Sequence, residues 1–274
     1  MISFFANLFG YVLNFLYELV HNYGIAIILF SIVLKLAMLP ISIKQQKTMK
    51  KSAKIQAKAK EIQDKYKNNP EKLSQETMDL YKREGMSPFS GCLSAIIQII
   101  LLFAVFYLVR SPLTYMTKVE PAVIEQYAAE IKQENQVEND PYTEISIIKE
   151  KGGEDERVNL NMEFLGLDLS SVPSRDLSDW RVYIIPALYV LTSFVSMQMT
   201  TKMQTKKKEE NEQTDELDAV AQANKSMNFI MPIMSVSIAV IAPLGLALYW
   251  LVNNILMIAE RLVLNKFIKD EEEA

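Results

Sequence analysis

Stretches free of charge alternate along this chain with stretches dense in Lys and Glu, and the lengths of the apolar stretches predict membrane-crossing helices. A helix rising 1.5 Å per residue needs about 20 apolar residues to cross roughly 30 Å of hydrocarbon. Residues 24–43, 92–109 and 182–200 each satisfy that length. Residues 226–259 carry no charge and are interrupted by Ala242-Pro243-Leu244-Gly245, so they read as two passes, 227–242 and 243–264. The first of these would reach only about 24 Å as a helix, short enough to thin the surrounding bilayer. Ahead of the first span, Phe4, Phe5, Leu8, Phe9, Val12, Phe15, Leu16 and Leu19 recur at helical spacing with Asn7, Asn14 and Glu18 between them. That pattern predicts an amphipathic helix lying in the interface over residues 1–23. A cleaved signal peptide fits less well, because a positive n-region and a small-residue cleavage site are both missing before Gly24.

The polar stretches have their own periodicity. Residues 44–67 alternate Lys with Ala, Gln, Met and Ile, turn at Asn68-Asn69-Pro70 and resume helical character to Arg83, which predicts a helical hairpin within 44–91. Ile55, Ala59, Ile62 and Tyr66 form one stripe, able to meet Leu73, Leu80 and Tyr81, while Lys47, Lys51, Lys54 and Lys58 occupy another face. Those lysines suit either anchoring to anionic lipid or a specific docking surface. Residues 110–181 exceed a simple connector. A helix is expected over 121–133, and two strands over 142–149 and 157–164 flanking Gly152-Gly153, giving a small α+β insertion.

Charge assigns sides. Residues 44–91 hold twelve basic and six acidic residues, whereas 110–181 hold eight and fifteen. Basic residues of short loops stay in the cytoplasm, so the hairpin belongs inside and the acidic insertion outside. The 201–226 loop joins the hairpin inside through Lys202, Lys206, Lys207 and Lys208 at the end of an apolar run. The expected fold is therefore an all-α polytopic membrane protein with five spans, the N-terminus outside and the tail 265–274 in the cytoplasm. The net charge of -4 averages over these opposed segments and says little. A single Cys and a single His leave no intrachain disulfide and no Cys- or His-based metal site. Phosphate-loop, dinucleotide and nucleophile-elbow motifs do not occur either, so neither an enzyme nor a cofactor is expected.

Lys35 stands out. It lies inside the first span, about 13 Å along the helix from Lys44. An ionised side chain at such depth costs about 2.5–3.5 kcal/mol on insertion scales, so it should face protein or water. The alternative is a stem that snorkels to the headgroups. Ser31 precedes Lys35 by one turn, and Gln98, Gln198, Asn253 and Asn254 place polar groups in other spans, together enough to line a wet groove. Taken singly, each suits an interhelical hydrogen bond as well. Tyr249 and Trp250 read as groove wall or interface anchors, and Met197, Met199, Met203, Met227, Met231 and Met234 as adaptable apolar surface or packing.

These residues occur within a longer series: Asn22-Tyr23-Gly24-Ile25-Ala26-Ile27-Ile28, Lys35, Leu39-Pro40, Lys44-Gln45-Gln46, Leu80-Tyr81-Lys82, Pro88-Phe89-Ser90-Gly91-Cys92-Leu93, Gln98, Phe164-Leu165-Gly166-Leu167-Asp168-Leu169, and Pro243-Leu244-Gly245-Leu246-Ala247-Leu248-Tyr249-Trp250 followed by Asn253-Asn254. In order and spacing, the chain resembles the YidC/Oxa/Alb family of membrane protein insertases along nearly its whole length. The resemblance implies five core spans around a hydrophilic groove, a bacterial plasma-membrane location, and a groove cation that by position is Lys35. It also implies nascent membrane proteins and the bilayer as partners, with the Sec translocon and the ribosome as further candidates and no nucleic-acid sequence recognition. Lys35 stands where bacterial members usually carry Arg, Ser87 where Asn is typical, and Ser94 and Ile100 where prolines often frame the second span. The Asp270–Glu273 run is acidic, unlike the basic tails that dock ribosomes in some relatives. A secondary transporter with Lys35 as its ion site, and an assembly chaperone that does not insert, are the rival expectations.

Overall fold

The computed structural model describes residues 2–85, 90–135, 140–205, 237 and 239–273. It forms two compact units, one from Ser3–Val33 with Val105–Ala274 and the other from Leu34–Ala104. Eight α-helices account for most of the described residues: α1 (Ile2–Val20), α2 (Tyr23–Lys65), α3 (Pro70–Arg83), α4 (Ser90–Arg110), α5 (Pro121–Asn135), α6 (Thr143–Lys151), α7 (Ile184–Thr205) and α8 (Leu244–Glu273). Four windows are long and apolar enough to cross a membrane: Ile2–Val20, Tyr23–Gln46, Trp180–Met199 and Leu244–Leu264, with Ile99–Arg110 as a shorter apolar helix in α4. The expected pass over 227–242 lies outside the described residues apart from 237 and 239–242.

In the Leu34–Ala104 unit, α2 continues through Pro40 and past the first basic residues without a break, so span and hairpin arm are one helix of 43 residues, about 65 Å long. The turn falls at Asn68–Asn69. The Asn69 side chain accepts from the Lys72 N–H at 3.1 Å, and Pro70, which has no N–H to leave orphaned, opens α3. Ile55 is buried, Ala59, Ile62, Tyr66, Leu73, Leu80 and Tyr81 are half-buried, and Ile62, Tyr66 and Leu73 have exposed neighbours on both sides, the two faces expected of a hairpin. Lys58 reaches Glu84 at 2.6 Å across it. α4 runs uninterrupted for 21 residues, consistent with Ser94 and Ile100 replacing helix-breaking prolines.

In the other unit, α1 buries Ala6, Phe9, Gly10 and Leu13 and leaves Phe4, Leu8, Tyr11, Phe15 and Leu19 exposed. Gly10 faces a π-turn at Leu113–Thr117 so closely that a Cβ there would sit 1.8 Å from the Tyr115 carbonyl oxygen. That turn ends on Lys118 in the left-handed region (φ 57°), with its ammonium on the Asn7 amide oxygen and 4.9 Å from the Tyr11 ring centre. The Thr114 N–H and hydroxyl donate to the buried Glu144 carboxylate at 2.9 and 2.6 Å. Burial pushes the Glu144 carboxyl above its ordinary range despite those bonds.

The insertion departs from expectation. Residues 142–149 do not form a strand. Asp140 accepts from the Tyr142 N–H and the Ser146 hydroxyl, tying the first turn of α6, and Glu144, Ile145, Ile147 and Ile148 are buried. The period-two run of Thr143, Ile145 and Ile147 is overridden by this local capping. Burial alone would raise the Asp140 carboxyl; Arg175 at 2.8 Å, with Ser146 and Tyr142, outweighs it and holds the carboxyl below its ordinary range. Residues 157–164 likewise begin as a 3₁₀ turn, Glu156–Val158, because the Asp155 side chain accepts from the Arg157 N–H. Only Glu163–Phe164 is strand, and its antiparallel partner is the downstream pair Leu167–Asp168 (β1 and β2). The helix expected over 121–133 is present as α5, clasped to α6 by Lys151, which reaches Glu130 at 3.6 Å and Glu134 at 3.5 Å.

Helices α7 and α8 run parallel in aligned register. Tyr189 packs on Trp250 with ring centres 5.6 Å apart, the Asn254 amide donates to the Ser193 hydroxyl at 2.6 Å, and the Arg261 guanidinium donates to the Ser196 carbonyl at 3.2 Å. Residues 189, 193 and 196 form one stripe of α7, and 250, 254 and 261 one stripe of α8.

Gly10→Val should force α1 off the π-turn and lower stability by about 1–3 kcal/mol, seen as a lower Tm in detergent. A Ser193→Ala/Asn254→Ala double-mutant cycle should return a coupling of about 0.6 kcal/mol, and not more than about 1.7, in reversible unfolding.

Candidate functional site

The insertion-side ends of α2 and α8 are both closed by one short segment, 161–171. Asn22 caps α2 by accepting from the Ile25 N–H at 3.0 Å while its amide donates to the Glu163 carbonyl at 2.6 Å. The Tyr23 N–H donates to the Asn161 carbonyl at 2.9 Å, and the Asn161 amide donates to the carbonyl of His21 at 3.0 Å. Tyr17, on α1, offers its hydroxyl oxygen to the Asn161 N–H at 2.9 Å. At α8 the first N–H groups, orphaned by helix geometry, go to the same segment: Leu244 to the Ser171 carbonyl and Gly245 to the Leu169 carbonyl, both 2.9 Å. Gly24 permits the approach of Phe164, whose ring would lie 2.5 Å from a Cβ there. Asn161 and Ser171 were not among the sequence candidates; only the Asx-rich context of Asn159, Asn161 and Asp168 hinted at backbone capping.

Several of the candidate side chains can be placed. In the unit that contains α3, Lys35 is half-buried on α2, Gln98 lies on α4 with its side chain outside the described residues, and Lys58 is exposed apart from its pair with Glu84. Lys47, Lys51 and Lys54 lie on α2, their side chains outside the described set. In the other unit, Ser31 is buried and its hydroxyl donates to the Ile27 carbonyl one turn back at 2.7 Å, so its polarity is absorbed by its own helix. Tyr249 is buried, Trp250 half-buried against Tyr189, Asn253 half-buried and Gln198 exposed. Asn254, rather than Asn253, carries the polar link to α7, and Ser193, Ser196 and Arg261 complete a seam that sequence reading missed. Pairing Ser193 and Ser196 with Asn254 and Arg261 required the register of two helices, which no single-helix pattern contains. Met197 and Met199 are half-buried, and Met227, Met231 and Met234 lie outside the described residues.

Among the described residues no group of three or more His, Cys, Asp or Glu side chains is placed to hold a metal ion. An open depression of about 450 Å³ on the insertion is lined by Lys149, Asn161, Glu163, Asp168 and Ser170 among others and includes none of the sequence candidates. The sequence candidates are polar side chains distributed over long apolar helices.

Residues 15–272 match the family described as 60Kd inner membrane protein. The membrane protein insertase YidC of Chlorobaculum tepidum is 31% identical over 271 residues, covering 96% of this chain and 36% of that protein. The membrane protein insertase YidC of Chloroherpeton thalassium is 31% identical over 261 residues, 95% of this chain and 36% of the relative. That of Caldanaerobacter subterraneus subsp. tengcongensis is 27% identical over 254 residues, 93% of this chain and 90% of the relative. The chain thus spans about a third of the Chlorobaculum and Chloroherpeton proteins and nine-tenths of the Caldanaerobacter one. With the match extending over nearly all its residues, this chain belongs to the 60Kd inner membrane protein family.

Proposed function

We propose that this protein inserts nascent membrane proteins into the bilayer, alone or beside the Sec translocon, and that Lys35 supplies the positive field of a hydrophilic groove. The observation that carries this reading is a half-buried lysine in the middle of a helical segment, Tyr23–Gln46, that contains an 18-residue window of mean hydropathy 2.4. Holding an ammonium there costs about 2.5–3.5 kcal/mol, a cost that selection removes easily unless the charge has a use. Family membership and the names of the relatives support the same reading.

In this mechanism the basic hairpin, including Lys47, Lys51, Lys54 and Lys58, lies in the cytoplasm and receives a precursor with a short, acidic polar flank. The flank moves into the groove toward Lys35, with Gln98, Gln198 and Asn253 offering hydrogen bonds along the way. From there it faces only part of the hydrocarbon thickness, and the short pass over 227–242 thins the remainder. The apolar part of the precursor leaves into lipid along the α7–α8 pair, beside Tyr249 and Trp250. Hydrophobic transfer drives this step, at about 25 cal/mol per Å² buried. No bond is made or broken and no cofactor takes part. The amphipathic α1 lies in the outer interface, the N-terminus outside and the tail inside.

Lys35→Ala should reduce insertion of a precursor with an acidic translocated tail by about tenfold, equivalent to about 1.4 kcal/mol, while Lys35→Arg should retain it. Protease protection of the translocated tail in reconstituted vesicles measures both. Equal insertion by wild type, Ala and Arg variants would eliminate Lys35 from the mechanism.

A further inference from the structure

Three side chains of the insertion are more exposed than any other large apolar residue among those described: Leu165 at 87%, Trp180 at 73% and Leu177 at 71%. Even the outward side chains of α7, such as Leu188 and Leu191, are less so. Their positions share one feature. Leu165 follows Glu163 and Phe164, which hold the start of α2 through Asn22 and Gly24. Trp180 opens the short 3₁₀ helix that leads directly into α7, and the apolar window of that helix begins at Trp180 itself. Leu177 lies in the turn just before it, where the Asp179 N–H donates to the Asp176 carbonyl. All three therefore stand where membrane-length helices begin.

The backbone at Leu165 adds an independent observation. Leu165 and Gly166 occupy the two central positions of the β1–β2 turn, both with positive φ, 52° and 75°. Such hairpin turns favour Asn-Gly or Asp-Gly, because a short polar side chain tolerates the left-handed conformation and is content in water. Leucine is disfavoured there on both counts. A residue that suits neither its backbone nor an aqueous surface suits an apolar medium.

We infer that the insertion does not stand free in water but rests on the bilayer, with Leu165, Leu177 and Trp180 seated in the headgroup and upper acyl region of the leaflet it faces. Lipid is the occupant because Trp180 opens the same apolar window in which Ile184, Leu188 and Leu191 are exposed, a window long enough to cross a membrane. Tryptophan is also the side chain whose apolar ring and N–H match that boundary. Charges beside Leu177 and Trp180 are paired, Arg181 with Asp179 at 2.9 Å and Lys149 with Asp176 at 3.4 Å, while the carboxylates of Glu163 and Asp168 flank the Leu165 tip at its polar base. This seating requires that the helices span a membrane and is independent of whether the protein inserts others.

The chain has two tryptophans, so Trp250→Phe leaves Trp180 as the sole reporter. The full-length variant, reconstituted in phosphatidylcholine vesicles, is compared with the same protein in phosphatidylcholine brominated high on one acyl chain, with acrylamide loaded on both sides in a parallel sample. Trp180 emission should fall by about half or more in brominated lipid and resist acrylamide. Free quenching by acrylamide with no effect of bromine would place the tip in water and overturn the proposal. Protection from both would mean that a second copy covers the patch, and would overturn it equally. A second reporter guards against misfolding of the Trp variant: Leu165→Cys with Cys92→Ser, labelled with an environment-sensitive fluorophore. It should emit at shorter wavelength in vesicles than in urea, and an unshifted spectrum counts against lipid contact at the hairpin tip.

Discussion

A helix that enters hydrocarbon leaves its first N–H groups without partners, and water is not there to supply them. In this protein one segment, 161–171, meets that demand for two helices at once. Carbonyls of Asn161, Leu169 and Ser171 accept from Tyr23, Gly245 and Leu244, and the Glu163 carbonyl accepts from the Asn22 amide. The insertion is therefore more than a connector between α4 and α7, because it supplies acceptors to the first N–H groups of α2 and α8. Its own rigidity comes from side chains that cap backbone: Asp140 on α6, Asp155 on the 3₁₀ turn, and Glu144 on the π-turn against which α1 packs.

The opposite ends of the helices are held differently. Beyond the Tyr189–Trp250 contact, α7 and α8 are joined by the Asn254–Ser193 bond and the Arg261–Ser196 bond. Interhelical side-chain bonds in a membrane contribute about 0.6 kcal/mol each. Backbone bonds at the insertion side fix helix ends, whereas side-chain bonds along the seam permit rotamer changes without unfolding either helix.

Much of this was legible in the chain because hydrophobic spacing reports on single elements. The α1 repeat, the Asn69-Pro70 turn, α5 and the apolar windows of α2, α7 and α8 each depend on residues close in sequence. The continuity of α2 through Pro40 was less so, since a charge boundary at Lys44 resembles an end although the helical backbone ignores it. The two strands expected over 142–149 and 157–164 failed because alternating β-branched residues give the same period whether or not an Asp stands two residues ahead to cap a helix. The motif pieces Asn22-Tyr23-Gly24, Phe164 to Leu169 and Pro243-Leu244-Gly245 were visible as separate islands. Their meeting in space, with a glycine in each helix start where a Cβ would crowd Phe164 or approach the Leu169 carbonyl, is a property of the tertiary structure.

The polar residues inside the apolar helices divide by what satisfies them. Ser31 gives its proton to Ile27 and so contributes little field beyond its own helix. Arg261 spends a donor on the Ser196 carbonyl, and its planar guanidinium is suited to that fixed role as a tether. Lys35 differs in chemistry: a compact charge on a flexible four-carbon stem, able to follow a moving carboxylate without imposing one geometry. On the proposed reading what attracts an acidic flank is the positive charge itself, which Arg at the same position would also supply. On that reading the half-buried position of Lys35, rather than full burial, suits a charge that a flank must reach.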